Sequence, residues 1–247
     1  MADQQDAAAW FSTWFNSPYY HILYQNRDVQ EAQRFMDRLL VYLHPKPDAK
    51  ILDLACGKGR HALYLNQQGY DVTGIDLSEK SIQHARQFEN ERLHFVRHDM
   101  REEFQPEAFD FILNLFTSFG YFESETENAV ALCATAQSLR HGGKLVIDFM
   151  NTDKVISNLV AKEEKEVQGI NFKITRGVEK GFIIKRIGFR DKGRDYCFEE
   201  RVRALRRDDF MDYFGMAKLR LIDIFGDYKL NPYEPASSDR MVFVLKK

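Results

Sequence analysis

Cysteine is scarce in this 247-residue chain: Cys56, Cys133 and Cys197 are odd in number and widely separated. That pattern excludes a disulfide framework and suits free thiols in a reducing compartment, so the cytoplasm is the expected location. Long apolar runs are absent. No stretch approaches the length that crosses a bilayer, and the opening MADQQDAAAW carries acids where a secretory leader carries bases, so no membrane association is expected. Neither sign of charge dominates: 35 Lys and Arg stand against 37 Asp and Glu, for a formal charge of −2. A nucleic-acid binder is ordinarily basic overall or on one face, and none is expected as a partner. Internal repeats and low-complexity tracts are missing too. What is present, 44 % apolar and 29 % charged residues, is the balance of an ordinary folded domain, long enough for one generous core or a core with an insertion.

Helical spacing governs the start. Trp10, Phe11, Trp14 and Phe15 fall on one helical face, a turn follows at Asn16-Ser17-Pro18, and Tyr19, Tyr20 and Tyr24 come next. Between Asp28 and Leu43 the apolar positions Val29, Ala32, Phe35, Met36, Leu39, Leu40 and Leu43 predict a helix capped by Asp28 and stopped by Pro45 and Pro47. Residues 1–48 are therefore read as an N-terminal helical segment.

From Lys50 the rhythm changes. Short apolar runs at 51–55, 70–75, 93–97, 109–115 and 144–149 predict strands, with helices at 60–68, 78–89 and from Ser124-x-x-Glu127, a capping box, to about Arg140. Strands separated by single helices pair in parallel through right-handed crossovers, so residues 49–150 predict a doubly wound α/β core. Residues 151–164 read as a charged helix. Runs at 167–176, 182–190 and 196–205, joined at Glu179-Lys180-Gly181 and Asp191-Lys192-Gly193, predict an antiparallel β meander inserted over 151–205. Residues 206–247 return to the core with a helix at 208–217, a strand at 219–225, a loop at 231–239 and a strand at 241–245 antiparallel to its predecessor. The expected fold is a doubly wound, mostly parallel seven-stranded sheet with an antiparallel last strand, plus the inserted meander.

The chemistry concentrates in Ile51-Leu52-Asp53-Leu54-Ala55-Cys56-Gly57-Lys58-Gly59. A buried strand enters a turn with two glycines and a helix starts at once; glycine lets the backbone turn sharply and approach a ligand, and free N–H groups at the helix start favour an anionic group. The second strand ends in Asp76, placed to accept hydrogen bonds from ribose hydroxyls. These features fit any adenosine-containing cofactor, and Gly57-x-Gly59-x-x-Ala62 also fits a relaxed nicotinamide-dinucleotide fingerprint. Three others separate the readings. Asp53 lies inside the first strand, where it can orient the glycine turn and favour a ligand with an ammonium group. His98-Asp99-Met100 closes the third strand with another acid, suited to an adenine amino group with Met100 against the ring. The tail gives the sheet an antiparallel final strand.

The run Ile51–Gly59, with Asp76 and Asp99, resembles the motif set of class I S-adenosylmethionine-dependent methyltransferases. Within them, His98-Asp99-Met100-Arg101 and Asn114-Leu115-Phe116-Thr117-Ser118-Phe119-Gly120-Tyr121 are similar to small-molecule N-methyltransferases, including those of nucleotide-linked amino sugars. The motif-level likeness spans residues 19–150, and Lys58 departs from the Thr or Ser frequent between the glycines. The resemblance implies that the cofactor is S-adenosyl-L-methionine. Ala55, Cys56, Gly57 and Gly59 would line its methionine portion, Asp76 would hold the ribose with Leu77 beside the adenine, Asp99 and Met100 would bind the adenine edge, and Leu115 and Phe116 would flank the sulfonium. Residues 1–48 would form a lid, from which Tyr20 and Arg27 cover the cofactor. The implied activity is methyl transfer to a small-molecule acceptor, nitrogen before oxygen, by in-line displacement. No catalytic side chain is assigned, because a sulfonium is already a good leaving group and alignment is the main requirement. Phe116, Phe119 and Tyr121 offer aromatic faces to a cation.

Other constellations are weaker. His94 and His98 share a strand face without a third ligand at metal spacing, so no metal is expected. The run Lys162–Glu166 reads as a solvated helix face, and Arg201, Arg203, Arg206 and Arg207 read as a solvated strand end or a surface for an acidic substrate. A nicotinamide-dependent oxidoreductase and a non-catalytic cofactor-binding module are the alternatives. The lid, the meander and the loop at 231–240 are placed to shape an acceptor pocket; the meander is equally a surface for a homodimer.

Overall fold

The computed structural model describes residues 13–24 and 29–247. Trp10, Phe11, Arg27 and the expected cap Asp28 lie outside them. Helix α1 is Pro18–Leu23, with Ser17 Oγ accepting from the Tyr19 N–H, and α2 is Val29–Leu43. The core then runs β1 (Lys50–Leu54), α3 (Arg60–Gln67), β2 (Asp71–Asp76), α4 (Glu79–Ala85), β3 (Leu93–Arg97), β4 (Phe109–Asn114), α5 (Glu125–Ser138) and β5 (Leu139–Met150). The capping box forms: Ser124 Oγ accepts from the Glu127 N–H while the Glu127 carboxylate accepts from the Ser124 N–H.

After α6 (Thr152–Ser157) come β6 (Lys162–Val167), β7 (Ile170–Glu179), β8 (Phe182–Asp191) and β9 (Arg194–Arg203), then α7 (Arg207–Met216), β10 (Arg220–Phe225) and β11 (Arg240–Lys246). The main sheet has the order β10-β11-β5-β4-β1-β2-β3. Pairs β1–β2, β1–β4, β2–β3 and β4–β5 are parallel, while β11 runs antiparallel to both β5 and β10. This is the expected doubly wound seven-stranded sheet.

Both faces of that sheet are covered, which is why its central strands read as continuous apolar runs. Leu52, Ile112 and Ile147 pack with Leu132 of α5 and Phe210 and Phe214 of α7. On the other face Ile51, Val72, Leu113 and Val146 pack with Phe35 and Leu39 of α2, Leu65 of α3 and Ile82 of α4. Among the described residues no helix is long and apolar enough to cross a membrane.

Two expectations are corrected. The helix after Met150 ends at Ser157, and Lys162–Val167 is a strand, so the meander has four strands in the order β6-β7-β8-β9. The segment KEEKEV alternates: Lys162, Glu164 and Glu166 are exposed, whereas Glu163, Lys165 and Val167 are turned inward. It is an edge strand, and charges that blunt an edge against foreign pairing resemble those of a solvated helix. In addition β5 begins at Leu139, five residues before the apolar run at 144, because its first residues are already laddered to β4.

The meander buries its apolar face within the chain. Val167, Ile170, Phe172, Ile174, Ile187 and Phe189 close over Trp14 and Leu23, and the Tyr19 ring lies 4.6 Å from Phe189 and 4.8 Å from Tyr196 between centroids. The opposite face carries ion pairs such as Arg186 with Glu179 (2.7 Å) and Glu199 (2.9 Å).

Candidate active site

A cavity of about 760 Å³ opens at the carboxyl ends of β1, β2, β3 and β4, where ligands sit in doubly wound sheets. Its wall begins where β1 ends. Ala55 (φ 63°), Gly57 (φ 56°) and Gly59 (φ 79°) all take left-handed backbone, which an alanine tolerates only at some cost. Side chains beneath the turn hold it there. The Gly57 N–H donates to Asp76 Oδ2 (2.8 Å) and the Ser78 N–H to Asp76 Oδ1 (2.7 Å), so one carboxylate pins two loops. An ionised carboxylate has about four lone-pair sites, so acceptor capacity remains on both oxygens. Asp53, 3 % exposed, accepts from the Ala62 N–H at 3.1 Å and so ties β1 to the first turn of α3. Burial pushes the Asp53 carboxyl up to about 7, with the Asp76 charge adding to the rise and the Ala62 hydrogen bond opposing it. Desolvation also raises Asp76, against the hydrogen bonds from Ser78 and Gly57, and burial pushes the Cys56 thiol up.

The two glycines do different work. A Cβ on Gly57 would meet nothing within 4 Å, leaving that side of the turn open. On Gly59 it would stand 2.5 Å from the Phe95 ring. Gly59 is therefore not part of the cavity wall, contrary to expectation; it sits behind it and makes room for β3. Gly59→Ala is expected to lose about 2–4 kcal/mol, from the left-handed backbone plus overpacking, and Gly57→Ala only about 1 kcal/mol. Denaturant midpoints with equal slopes would check this, and equal losses at the two positions would refute it.

At the end of β3, Asp99 and Met100 line the cavity. Asp99, expected at the adenine edge, also has a partner within the chain. It accepts from the Arg101 side chain (2.6 Å) and N–H (3.0 Å), and Arg101 reaches on to Glu127 at 2.6 Å. Burial alone would raise the Asp99 carboxyl; the Arg101 hydrogen bonds outweigh it and hold the carboxyl below its usual range.

Leu115 and Phe116 form the wall beyond β4, where Phe116 and Thr117 both adopt φ 59°. Two successive left-handed residues without glycine need an outside anchor, and Asp148 supplies it from β5. This fully buried acid accepts from the Phe116 N–H (2.7 Å), Tyr228 Oη (3.2 Å) and Arg240 Nε (2.8 Å), while Arg240 Nη2 donates to Thr117 Oγ1 (2.7 Å). Asp148, Tyr228 and Arg240 escaped the sequence reading. The one signal was an acid inside an apolar strand, the same oddity that singled out Asp53. His61 stacks on Phe116 at 4.7 Å and 28°. Phe119 turns instead into the core beside Phe210 and Phe149 and does not line the cavity; Tyr121 does.

The N-terminal segment and the meander line the remaining side. Tyr20 and Tyr24 contribute from the N-terminal segment, and Glu200 and Val202 from β9. Arg27 lies outside the described residues. The loop at 231–240 supplies no lining residue among those described; Tyr228, just before it, does. The basic stretch is engaged by acids of its own chain: Arg201 with Glu123 (3.0 Å), Arg203 with Glu125 (3.5 Å), Arg206 with Asp153 (2.8 Å) and Arg207 with Asp208 (3.3 Å).

Known proteins agree with this geometry. Residues 51–143 match the family model described as a methyltransferase domain. Among individual relatives, the dTDP-3-amino-3,4,6-trideoxy-α-D-glucopyranose N,N-dimethyltransferase of Streptomyces venezuelae is 30 % identical over 131 residues, 52 % of this chain and 54 % of that protein. The chain spans about half the length of the curated relatives it matches. In fold it is similar to an S-adenosylmethionine-dependent methyltransferase from Clostridium acetobutylicum (TM-score 0.77, 20 % identity, 92 % of this chain and 95 % of that one). A sugar N-methyltransferase from Streptoalloteichus is comparable (TM-score 0.72, 21 % identity, 92 % of each chain).

Proposed function

We propose that this chain methylates a small-molecule acceptor, at nitrogen rather than oxygen, with S-adenosylmethionine as the donor. The observation that carries the reading is the Asp76 carboxylate, tied through one oxygen to Gly57 and through the other to Ser78, at the mouth of a cavity beside an open glycine turn. The residues present fit the donor. Ala55, Cys56 and Gly57 would face its methionine portion above Asp53, Asp76 would take the ribose hydroxyls, and Leu77 and Met100 would flank the adenine, with Asp99 at its edge. Leu115 and Phe116 would stand by the sulfonium, with Tyr20 and Arg27 covering it from the lid. A cavity of about 760 Å³ lies within the span of small-molecule sites.

When bound, S-adenosylmethionine supplies a methyl group on a good leaving group. The chain's own part is to hold the acceptor in line and keep water out. Two features support nitrogen as the acceptor atom: the similar proteins named above include N-methyltransferases, and an amine arriving unprotonated needs no base. Calorimetry with S-adenosylhomocysteine and with NAD tests the reading, and a response to NAD alone would overturn it in favour of an oxidoreductase. Asp76→Ala is expected to weaken S-adenosylhomocysteine by about 1.5–3 kcal/mol, roughly ten- to over a hundredfold, the worth of hydrogen bonds to a charged group. Unchanged affinity in the folded variant would remove Asp76 from the site.

A further inference from the structure

One acid in the cavity wall comes from the meander rather than from the main sheet or the N-terminal segment. Glu200 sits on β9, at the end of the cavity formed by meander and lid. Its carboxylate is asymmetric in its partners. Oε1 accepts two hydrogen bonds from the lid, from Trp14 Nε1 at 2.6 Å and from Tyr24 Oη at 2.6 Å. Oε2 accepts none from the described residues; the nearest cation, Lys185 Nζ, lies 3.7 Å away, beyond hydrogen-bond length, and donates to Tyr24 Oη instead. With its side chain 18 % exposed, Glu200 is a largely desolvated carboxylate, oriented through one oxygen and met at the other, among the described residues, by the Lys185 ion pair without a hydrogen bond.

The surroundings select what fits that oxygen. Tyr24, Tyr20, Phe15 and Tyr121 form a continuous aromatic surface along the cavity, with successive ring centroids 5.0, 5.1 and 5.7 Å apart. Aromatic faces attract cations and repel anions. Acids outnumber bases in the wall as well: Glu31, Asp53, Asp76, Asp99 and Glu200 line it against Lys58 and Arg60, with His21, His61 and His98 beside them. Asp99 is paired with Arg101 and Asp53 holds its proton to about 7, which leaves Glu31, Asp76 and Glu200 to set the sign. A hydroxyl can donate to a carboxylate, but an ammonium does so with charge assistance and is also favoured by the rings.

We infer that Glu200 is the acceptor-selecting residue: Oε2 receives a primary or secondary amino group of the acceptor as its ammonium and, once that group has lost one proton to solvent and freed its lone pair for attack, keeps an N–H of the neutral amine, while Oε1 locks the lid over it. The inference rests on the methyltransferase reading and adds the group that recognises the second substrate. It also assigns a function to the meander, which delivers this carboxylate from outside the main sheet.

The test uses the full chain saturated with S-adenosylhomocysteine and two ring probes of equal size, cyclohexylamine, a cation at neutral pH, and cyclohexanol. By calorimetry the wild type is expected to prefer the amine by at least about tenfold, the worth of one charge-assisted hydrogen bond. Glu200→Gln, in which an amide oxygen can still accept from Trp14 and Tyr24, is expected to abolish that preference and leave S-adenosylhomocysteine affinity unchanged. Lys185→Met, which removes the neighbouring cation, is expected to increase it. A preference that survives Glu200→Gln overturns the inference, as does a wild type that binds S-adenosylhomocysteine yet does not distinguish the probes. Loss of S-adenosylhomocysteine binding in Glu200→Gln would make the residue a structural post and overturn it too. Failure of the wild type to bind S-adenosylhomocysteine at all would instead strike the donor reading beneath it.

Discussion

Arg240→Leu is expected to destabilise the protein by about 3 kcal/mol, near the lower end of the range for stranding one member of a buried ion pair. Asp148 is 0 % exposed and Arg240 pairs with it at 2.8 Å. Removing the guanidinium leaves a carboxylate that cannot reach water. The loss is held to the lower end because the Phe116 N–H and Tyr228 Oη still donate to Asp148. Adding Asp148→Asn is expected to recover much of the loss, since the second change removes the stranded charge; the coupling is read from a double-mutant cycle of denaturant midpoints. The site should suffer alongside stability, because Phe116 and Tyr228, both bonded to Asp148, line the cavity. A single variant within 0.5 kcal/mol of wild type would show that the pair does not hold the left-handed turn after β4.

Asp53 carries the second large effect, and it depends on pH. In the unfolded chain this carboxyl ionises near its ordinary 3.8, whereas in the folded protein burial holds the proton to about 7. Between those values the folded state binds more protons than the unfolded one, so stability falls as pH rises through the interval. The full penalty, on the order of 4 kcal/mol, is present above about 7 and vanishes below about 4. Asp53→Asn is therefore expected to be more stable than wild type at pH 8 and to lose most of the advantage at pH 4. Parallel stability curves for the two proteins across that range would contradict it.

The same group links to the ligand. A donor whose ammonium group favours ionised Asp53 must expel the proton on binding at pH 6, so S-adenosylhomocysteine affinity should rise between pH 5 and 8. Calorimetry in buffers of unlike ionisation enthalpy measures that proton release directly, and heats independent of buffer would exclude Asp53 from the linkage.

Much of the fold was legible because it follows from local patterns. β3 occupies Leu93–Arg97, as its apolar run indicated, and α5 starts on the capping box that Ser124 and Glu127 announce. The pairing of β10 with β11 followed from the lack of a helix between them. The Lys162–Val167 strand was misread because its alternation is written in charges, and an edge strand lacks the apolar partners that make period two visible.

The site divides along the same line. Asp53–Lys58 and the strand-end residues Asp76, Asp99 and Met100 lie at or just beyond the carboxyl ends of β1, β2 and β3, so their place in the cavity wall was set by chain order and strand length, which a sequence displays. Gly59 fell behind that wall because the decisive contact is with Phe95, on another strand. Asp99 paired with Arg101, a neighbour two residues away whose side-chain direction no pattern encodes. Glu200 and the Asp148–Arg240 pair were invisible for a stronger reason. Trp14 and Glu200 meet across 186 positions and Asp148 and Arg240 across 92, and a contact of that kind exists only once the meander has docked on the lid or the last strand on β5. Periodicity and turn chemistry act over a few residues, so they determined the sheet and the glycine turn; which distant charges share a low-dielectric pocket was decided by packing alone.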